Sequence, residues 1–334
     1  MRVAVIGAGS FGTALAKVLA ENGHEVVLWC HRAERAREIA ERRENSLYLP
    51  GIVLPEPLTA TADLSEAVHR AEMVVVAVPS HVVREVMVQV RACLSDIPWV
   101  VSAAKGVEED SLLRMSEVLA EVLGPGHVGR IAVLSGPSFA KEVAAGMPTA
   151  VTAASCNPSA AEAVQKAFQA STFRVYTHDD VVGVEIGGAA KNVIAIAAGV
   201  SDGLGLGHSS RAALITRGVA EIARLVARLG GDARTVSGLS GVGDLVLTCT
   251  GDLSRNRTLG LRLGRGEKLT DILGSMHMVA EGVRNSVSIS QLARKAGVEM
   301  PITEQVRLLL HEEKPPLQVL GDLLRRQAKP EFWS

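Results

Sequence analysis

Among the side chains able to move a proton, Lys191 has an unusual setting. It interrupts the run from Gly187 to Gly218, GGAAKNVIAIAAGVSDGLGLGHSSRAALITRG, where two small-residue, helix-like segments flank a glycine turn. On a helix, the residues three and four positions away are Gly187, Gly188, Ile194 and Ala195, so no carboxylate of its own helix can pair with the ammonium. The residue is then either a helix-edge lysine reaching water or a desolvated one. Desolvation would lower its pKa toward neutrality, as acid/base work requires. Lysine is also scarce, nine residues against twenty-six arginines, which makes each apolar placement more informative. Three further features could act with it. Lys105 follows the apolar run Trp99 to Ala103. Asp244 closes the glycine-rich SGLSGVGD ahead of Leu245 to Leu247. Ser254, Arg255, Asn256 and Arg257 form a consecutive set of donors suited to a phosphate, with arginine supplying forked geometry.

These residues need elements to position them. Arg2 to Ile6 reads as a strand, Gly7-Ala8-Gly9-Ser10-Phe11-Gly12 as a glycine turn, Thr13 to Asn22 as a helix and His24 to Trp29 as a second strand. That is the context in which G-x-G-x-x-G binds a dinucleotide. Gly7 makes the tight turn, Gly9 admits the pyrophosphate to the backbone, Gly12 lets the helix pack closely, and helix amides face the anion. After the second strand, where an NAD site carries an acidic residue for the ribose, this chain has Trp29-Cys30-His31-Arg32. Arg32, helped by His31, could hold a 2′-phosphate, which favours NADP over NAD; the alternative is an exposed arginine in a charged run. Further strands are expected at Met73 to Val78, ending in Pro79-Ser80, then at Trp99 to Ala103 and Ile131 to Leu134. Ligands of an open parallel sheet lie outside the strands' carboxyl ends, so Ser80 and Lys105 point to one crevice. The last of these strands leads into Ser135-Gly136-Pro137-Ser138-Phe139-Ala140, where Ser138 is expected to cap a helix. Pro148 to Ala154 and Phe173 to Tyr176 read as an extension of the sheet.

With 334 residues the chain suits two domains. Strand signals end near Asp180, which predicts an α/β class: a Rossmann-like, doubly wound, mainly parallel sheet over 1–183 and an all-helical domain over 184–334 that begins with the Lys191 helix. The tail reads as helices broken at Pro315-Pro316. A 47% hydrophobic, 21% charged composition is globular, and 3% aromatic content argues against nucleic-acid stacking surfaces. The net charge of −1 leaves anion capture to local groups. Cys30, Cys93, Cys156 and Cys249 are scattered without metal spacing, so neither a metal site nor a disulfide framework is expected. With no signal peptide or uninterrupted apolar span in the pattern, a cytoplasmic protein without membrane insertion is expected.

In sequence order, GAGSFGTALA, SAAKG, SGPSFAKEV, AAKNVIAIAAGVSDGLGLG, RAALITRG, GVGDLVLTCTG and SRNR resemble the bacterial NAD(P)-dependent glycerol-3-phosphate dehydrogenases, and the resemblance runs to about residue 310. It implies hydride transfer between NADP or NAD and the secondary carbon of sn-glycerol 3-phosphate. The physiological direction it implies is reduction of dihydroxyacetone phosphate for glycerophospholipid synthesis. It implies Lys191 as acid/base, Lys105 and Asp244 as substrate contacts, and Gly136, Ser138, Ser254, Arg255 and Asn256 around the substrate. Around the cofactor it implies Gly7, Gly9, Ser10, Phe11, Gly12, His31, Arg32, Lys105, Ala140, Arg255, Val279 and Glu281. Phe11 stands where a tryptophan or tyrosine is usual. His208-Ser209-Ser210 and Arg284-Asn285-Ser286 also depart from the usual pattern. The competing readings are another two-domain hydroxy-acid dehydrogenase, which would need a carboxylate clamp, and a non-catalytic NADPH sensor, which would not need Lys105, Lys191 and Asp244 together. The assembly, monomer or homodimer, is left open.

Overall fold

The computed structural model describes residues 1–94, 96, 99–276 and 280–331. The chain divides into two compact units, one of residues 1–105 and 113–184, the other of residues 106–112 and 185–334.

The first unit is built on eight strands: β1 (Arg2–Ile6), β2 (Glu25–Trp29), β3 (Leu58–Thr61), β4 (Met73–Val76), β5 (Trp99–Ser102), β6 (Ile131–Ser135), β7 (Thr149–Ala154) and β8 (Phe173–His178). Their order across the sheet is β3-β2-β1-β4-β5-β6-β7-β8. All neighbours are parallel except β6 and β7, which run antiparallel, with Leu134 opposite Ala153. Central strands such as MVVV of β4 are buried along their whole length because helices cover both faces. In β1 the two-residue period sorts the side chains. Val3 and Val5 join the core beneath α1 (Ser10–Glu21), while Ala4 and Ile6 join the opposite one. The further α-helices of this unit are α2 (Ala33–Arg42), α3 (Leu64–Val68), α4 (Val83–Cys93), α5 (Met115–Leu123), α6 (Ala140–Ala144) and α7 (Pro158–Phe168), which packs its Val164 and Phe168 beside α1. The mainly parallel sheet expected from the sequence is present. β3 was not foreseen: its LTAT carries no apolar run, and it forms as an edge strand paired only with β2.

The second unit is helical: α8 (Val181–Gly203), whose first residues belong to the sheet unit, α9 (Gly207–Arg228), α10 (Asp244–Thr250), α11 (Arg255–Gly264), α12 (Leu269–Ser275), α13 (Glu281–Ala296), α14 (Pro301–His311) and α15 (Pro316–Leu324). Prolines at the first position of α14 and α15 fit there because the missing amide would have no helical partner. By length and composition alone α8 could cross a membrane, although Glu185 and Lys191 interrupt its apolar run. It is a core helix, with 83% of its most apolar window buried inside the protein. Its apolar face packs Val193, Ile196 and Val200 against Leu259 and Leu263 of α11. The approach is close enough to require glycine on both helices. A Cβ on Gly264 would stand 2.5 Å from the Val200 carbonyl oxygen, and one on Gly199, Gly203 or Gly260 would fall inside the backbone of the facing helix.

Candidate active site

In the sheet unit, the residues singled out by sequence gather at the carboxyl ends of the parallel strands β1, β2, β5 and β6. The backbone turns at Gly7 with φ +119°, a left-handed conformation, and a Cβ there would lie 2.9 Å from the Ala77 carbonyl. A Cβ on Gly12 would run into the Gly7 carbonyl oxygen, so α1 can sit this close to β1 only with glycine. Gly9 differs, since a Cβ on it would meet no protein atom within 4 Å. Nothing in the chain's own packing demands glycine there. Gly9 is also the N-cap of α1, in extended conformation, with no side chain capping the helix. The residues present therefore fit the pyrophosphate of a dinucleotide, which needs uncapped amides and open space above them. Asn45, which the sequence reading missed, braces this turn: fully buried, it donates to the Ala8 carbonyl at 2.9 Å and to Thr13 Oγ1 at 2.8 Å. It lies in a charged, locally featureless stretch, and no spacing signal marks it.

Ser10 and Phe11 open α1, and the Lys105 ammonium lies 5.6 Å from the centre of the Phe11 ring. Lys105 Nζ also donates to the Gly136 carbonyl at 3.1 Å. Ser138 Oγ donates to that same oxygen at 2.9 Å. This corrects the expectation that Ser138 caps a helix. The N-cap of α6 is Phe139, without a side-chain hydrogen bond, and Ala140 is the first helical residue. Gly136, at φ +145°, is held against Val151, whose Cα would be 2.9 Å from a Cβ. At the end of β2, His31 meets Trp29 edge-on at 6.0 Å and Arg32 stands exposed as the N-cap of α2. Burial pushes the Cys30 thiol up to about 12, so it is no nucleophile.

In the helical unit, Lys191 is 6% exposed and is a desolvated lysine, not a helix-edge one. It is not unpaired. Its ammonium donates to Asp244 Oδ1 at 2.5 Å and to Thr248 Oγ1 at 2.9 Å, both on α10. The carboxylate that the Lys191 helix could not supply comes from 53 positions away. Asp244 is 1% exposed and is delivered by a π-helical turn over Leu239–Gly243. Glycine permits that delivery, since a Cβ on Gly187, one turn before Lys191, would lie 2.9 Å from the Ser240 carbonyl oxygen. Thr248, absent from the sequence-based candidates, donates its own proton to the Asp244 carbonyl at 2.6 Å, leaving a lone pair for Lys191. The D-x-x-x-T spacing on one helix face was the available signal.

Beside Lys191, Asn192 accepts from Asn256 Nδ2 at 2.9 Å, and Asn256 Oδ1 accepts from the Gly282 amide at 3.0 Å. Ser254 caps α11 by accepting from the Arg257 amide at 3.2 Å. Arg257 itself binds Asp202 and Asp252, each at 2.9 Å. Of the donor run, Arg255 alone is exposed. Its pKa is lowered, first by desolvation of the guanidinium, against the opposing pull of the Glu281 carboxylate at the start of α13. Val279 lies outside the described residues.

Comparison with known proteins agrees along the chain. Residues 2–161 match the family profile described as NAD-dependent glycerol-3-phosphate dehydrogenase N-terminus, and residues 180–321 match its C-terminus. The sequence is 55% identical to the glycerol-3-phosphate dehydrogenase [NAD(P)+] of Geobacter sulfurreducens over 332 residues, covering 99% of each chain. It is 53% identical to that of Koribacter versatilis, again over 99% of each. A crystal structure of glycerol-3-phosphate dehydrogenase from Coxiella burnetii superposes with a TM-score of 0.93 at 42% identity, covering 97% of this chain and 99% of that one. With both halves matched and full-length relatives above half identity, this chain belongs to the NAD-dependent glycerol-3-phosphate dehydrogenase family.

Proposed function

We propose that the protein catalyses the reversible NAD(P)H-dependent reduction of dihydroxyacetone phosphate to sn-glycerol 3-phosphate, in the cytoplasm, feeding glycerophospholipid synthesis. The observation that carries the reading is the buried Lys191 ammonium, held between a carboxylate and a hydroxyl on a neighbouring helix. Labour divides along the chain, with residues 1–183 binding dinucleotide and residues 184–334 binding substrate and moving the proton. Gly7, Gly9, Ser10, Phe11 and Gly12 receive the pyrophosphate, Arg32 with His31 takes the 2′-phosphate of NADP, and Ala140, Val279 and Glu281 complete the cofactor's surroundings. When bound, the nicotinamide supplies a hydride to the substrate's carbonyl carbon.

The chain's own residues do the rest. As the carbonyl oxygen gains negative charge, Lys191 Nζ stabilises it and gives it a proton, leaving a neutral amine held by Asp244 and Thr248 until solvent restores the ammonium. Lys105, Gly136, Ser138, Ser254, Arg255 and Asn256 hold and orient the substrate, with exposed Arg255 reading the phosphate and also touching the cofactor. The test is oxidation of NADPH with dihydroxyacetone phosphate beside 2-oxo and 3-oxo acids. Turnover confined to the phosphorylated ketone is expected, and preference for either acid would sink the assignment. Lys191→Ala should lose ~10²- to 10⁴-fold in kcat while NADPH still binds.

A further inference from the structure

The helical unit carries an open cavity of about 550 Å³ bordered by α8, α9, α14, α15 and the chain from Arg326 to Glu331. No residue proposed above for the reaction lines it. Ser201, on its α8 wall, lies about 15 Å along the helix from Lys191 at about 1.5 Å per residue. The walls are chiefly aliphatic, including Val200, Leu214, Ile302, Leu309, Val319 and Leu323. The volume suits a small molecule.

Ser201 and a set of charged groups stand out among the polar residues of the lining, which also include Ser210, Gln305 and Gln327. Ser201 is 3% exposed, and its hydroxyl has no hydrogen-bond partner among the described residues. A buried hydroxyl left in that state carries a desolvation penalty that a ligand acceptor would relieve. Four cations, Arg217, Arg224, Arg326 and Lys329, line the cavity against two acids, Glu221 and Glu331. Acids engage them in part, since Glu221 and Glu299 both attract the Arg224 guanidinium. The Glu221 oxygens accept from the Ile302 amide at 2.6 Å and from the Thr303 amide and hydroxyl at 3.2 and 3.1 Å. Arg217 binds the main-chain oxygen of Glu331, while Arg326 and Lys329 share the single carboxylate of Glu299. Desolvation and the like charges of Arg217 and Arg326 lower the Arg224 pKa, against the pull of Glu221 and Glu299, and all three arginines line the same cavity.

We infer that this cavity binds a single-chain anionic amphiphile, with its alkyl chain along the aliphatic walls and its carboxylate or phosphate head on the arginine cluster. Several guanidiniums beside an aliphatic cavity suit that combination and neither a neutral lipid nor a cationic one.

The test is calorimetric titration of the full-length protein with dodecanoate below its micelle-forming concentration, beside octanoate, dodecyl phosphate and neutral dodecyl maltoside. One site per chain is expected, with octanoate weaker by on the order of a hundredfold from four lost methylenes. Leu214→Trp, which fills the chamber, and Arg217→Gln, which removes a head-group cation, should each weaken dodecanoate by about tenfold or more. Turnover without amphiphile should stay at the parent level in both. Should Leu214→Trp fail to fold, Arg217→Gln and Arg326→Gln carry the comparison. Tighter binding of dodecyl phosphate than dodecanoate would mark a phosphate-headed lipid as the ligand, and the reverse order a free fatty acid; either supports the site. Equal binding of the maltoside, or undiminished binding by the variants, would overturn it. So would no binding together with a concentration-dependent sedimentation mass abolished by Leu214→Trp, which would make the chamber a contact between copies of the chain.

Discussion

Lys191 and Asp244 are costly to separate because both are buried. Removing one partner of such a pair leaves an uncompensated charge in the interior and destabilises by about 3–5 kcal/mol, whereas replacing both with apolar groups of similar volume can be nearly neutral. Thermal melts of Lys191→Met, Asp244→Leu and the double variant are therefore expected to show two large losses that do not add, with the double variant melting above either single one. Additive losses would mean that the two side chains do not stabilise one another. The glycine and alanine around Lys191 left burial and a helix-edge position both open, and its pairing was not legible because Asp244 lies 53 positions away. At the sheet unit, Arg32→Ala should weaken NADPH roughly ten- to a hundredfold relative to NADH, the value of one charge-assisted contact, as measured by paired titrations. Equal weakening of both cofactors would remove Arg32 from the 2′-phosphate.

For the elements, the crossing of α8 and α11 is the most sensitive joint. Gly199→Ala drives a methyl into the Arg257 carbonyl, and helices that must move apart disturb the Asn192 to Asn256 bond between them. A loss of about 1–3 kcal/mol or more is expected from denaturant titration, with activity falling alongside. Gly274→Ala, at a site with nothing within 4 Å of the new methyl, is the matched control and should be close to neutral. A second element-level effect comes from Glu221, whose carboxyl receives the first amides of α14. Burial raises its pKa from 4.5 to about 7, against the lowering effect of those donors. The folded protein therefore holds a proton that the unfolded chain releases above about pH 4.5, so this group's contribution to stability falls as pH rises toward 7 and is flat beyond. The full change is about 3 kcal/mol at 1.36 kcal/mol per pH unit. Urea titrations between pH 5 and 8 should show that decline, and Glu221→Gln should flatten it. The helices and most strands were legible because their apolar periodicity is strong. The edge strand β3 and the antiparallel turn into β7 were not, since both depend on neighbours distant in sequence.

Over the whole molecule, the division of the chain does not follow a single cut. Residues 106–112, directly after Lys105, belong with the helical unit, and within it Glu109 pairs with Arg284 of α13 at 2.9 Å. No composition shift marks this segment, so a boundary sought in the sequence falls only near residue 183. A fragment of residues 185–334 is accordingly expected to unfold at lower urea than the helical unit does in the intact chain. Adding a peptide of residues 106–112 should restore part of the difference. A fragment as stable as the parent unit would show that the segment is a passenger.

That excursion also sets an order of events during synthesis. The segment leaves the ribosome roughly 70 residues before α8 follows it, so it must wait, unpartnered, while β6, β7 and β8 complete the sheet around its two ends. Because closing a loop costs only slowly more entropy as it lengthens, the wait is tolerable once the sheet has fixed both ends in place. The nascent sheet unit would then hold the segment by its ends until the helical unit forms, and a pause in translation before α8 should favour the native product.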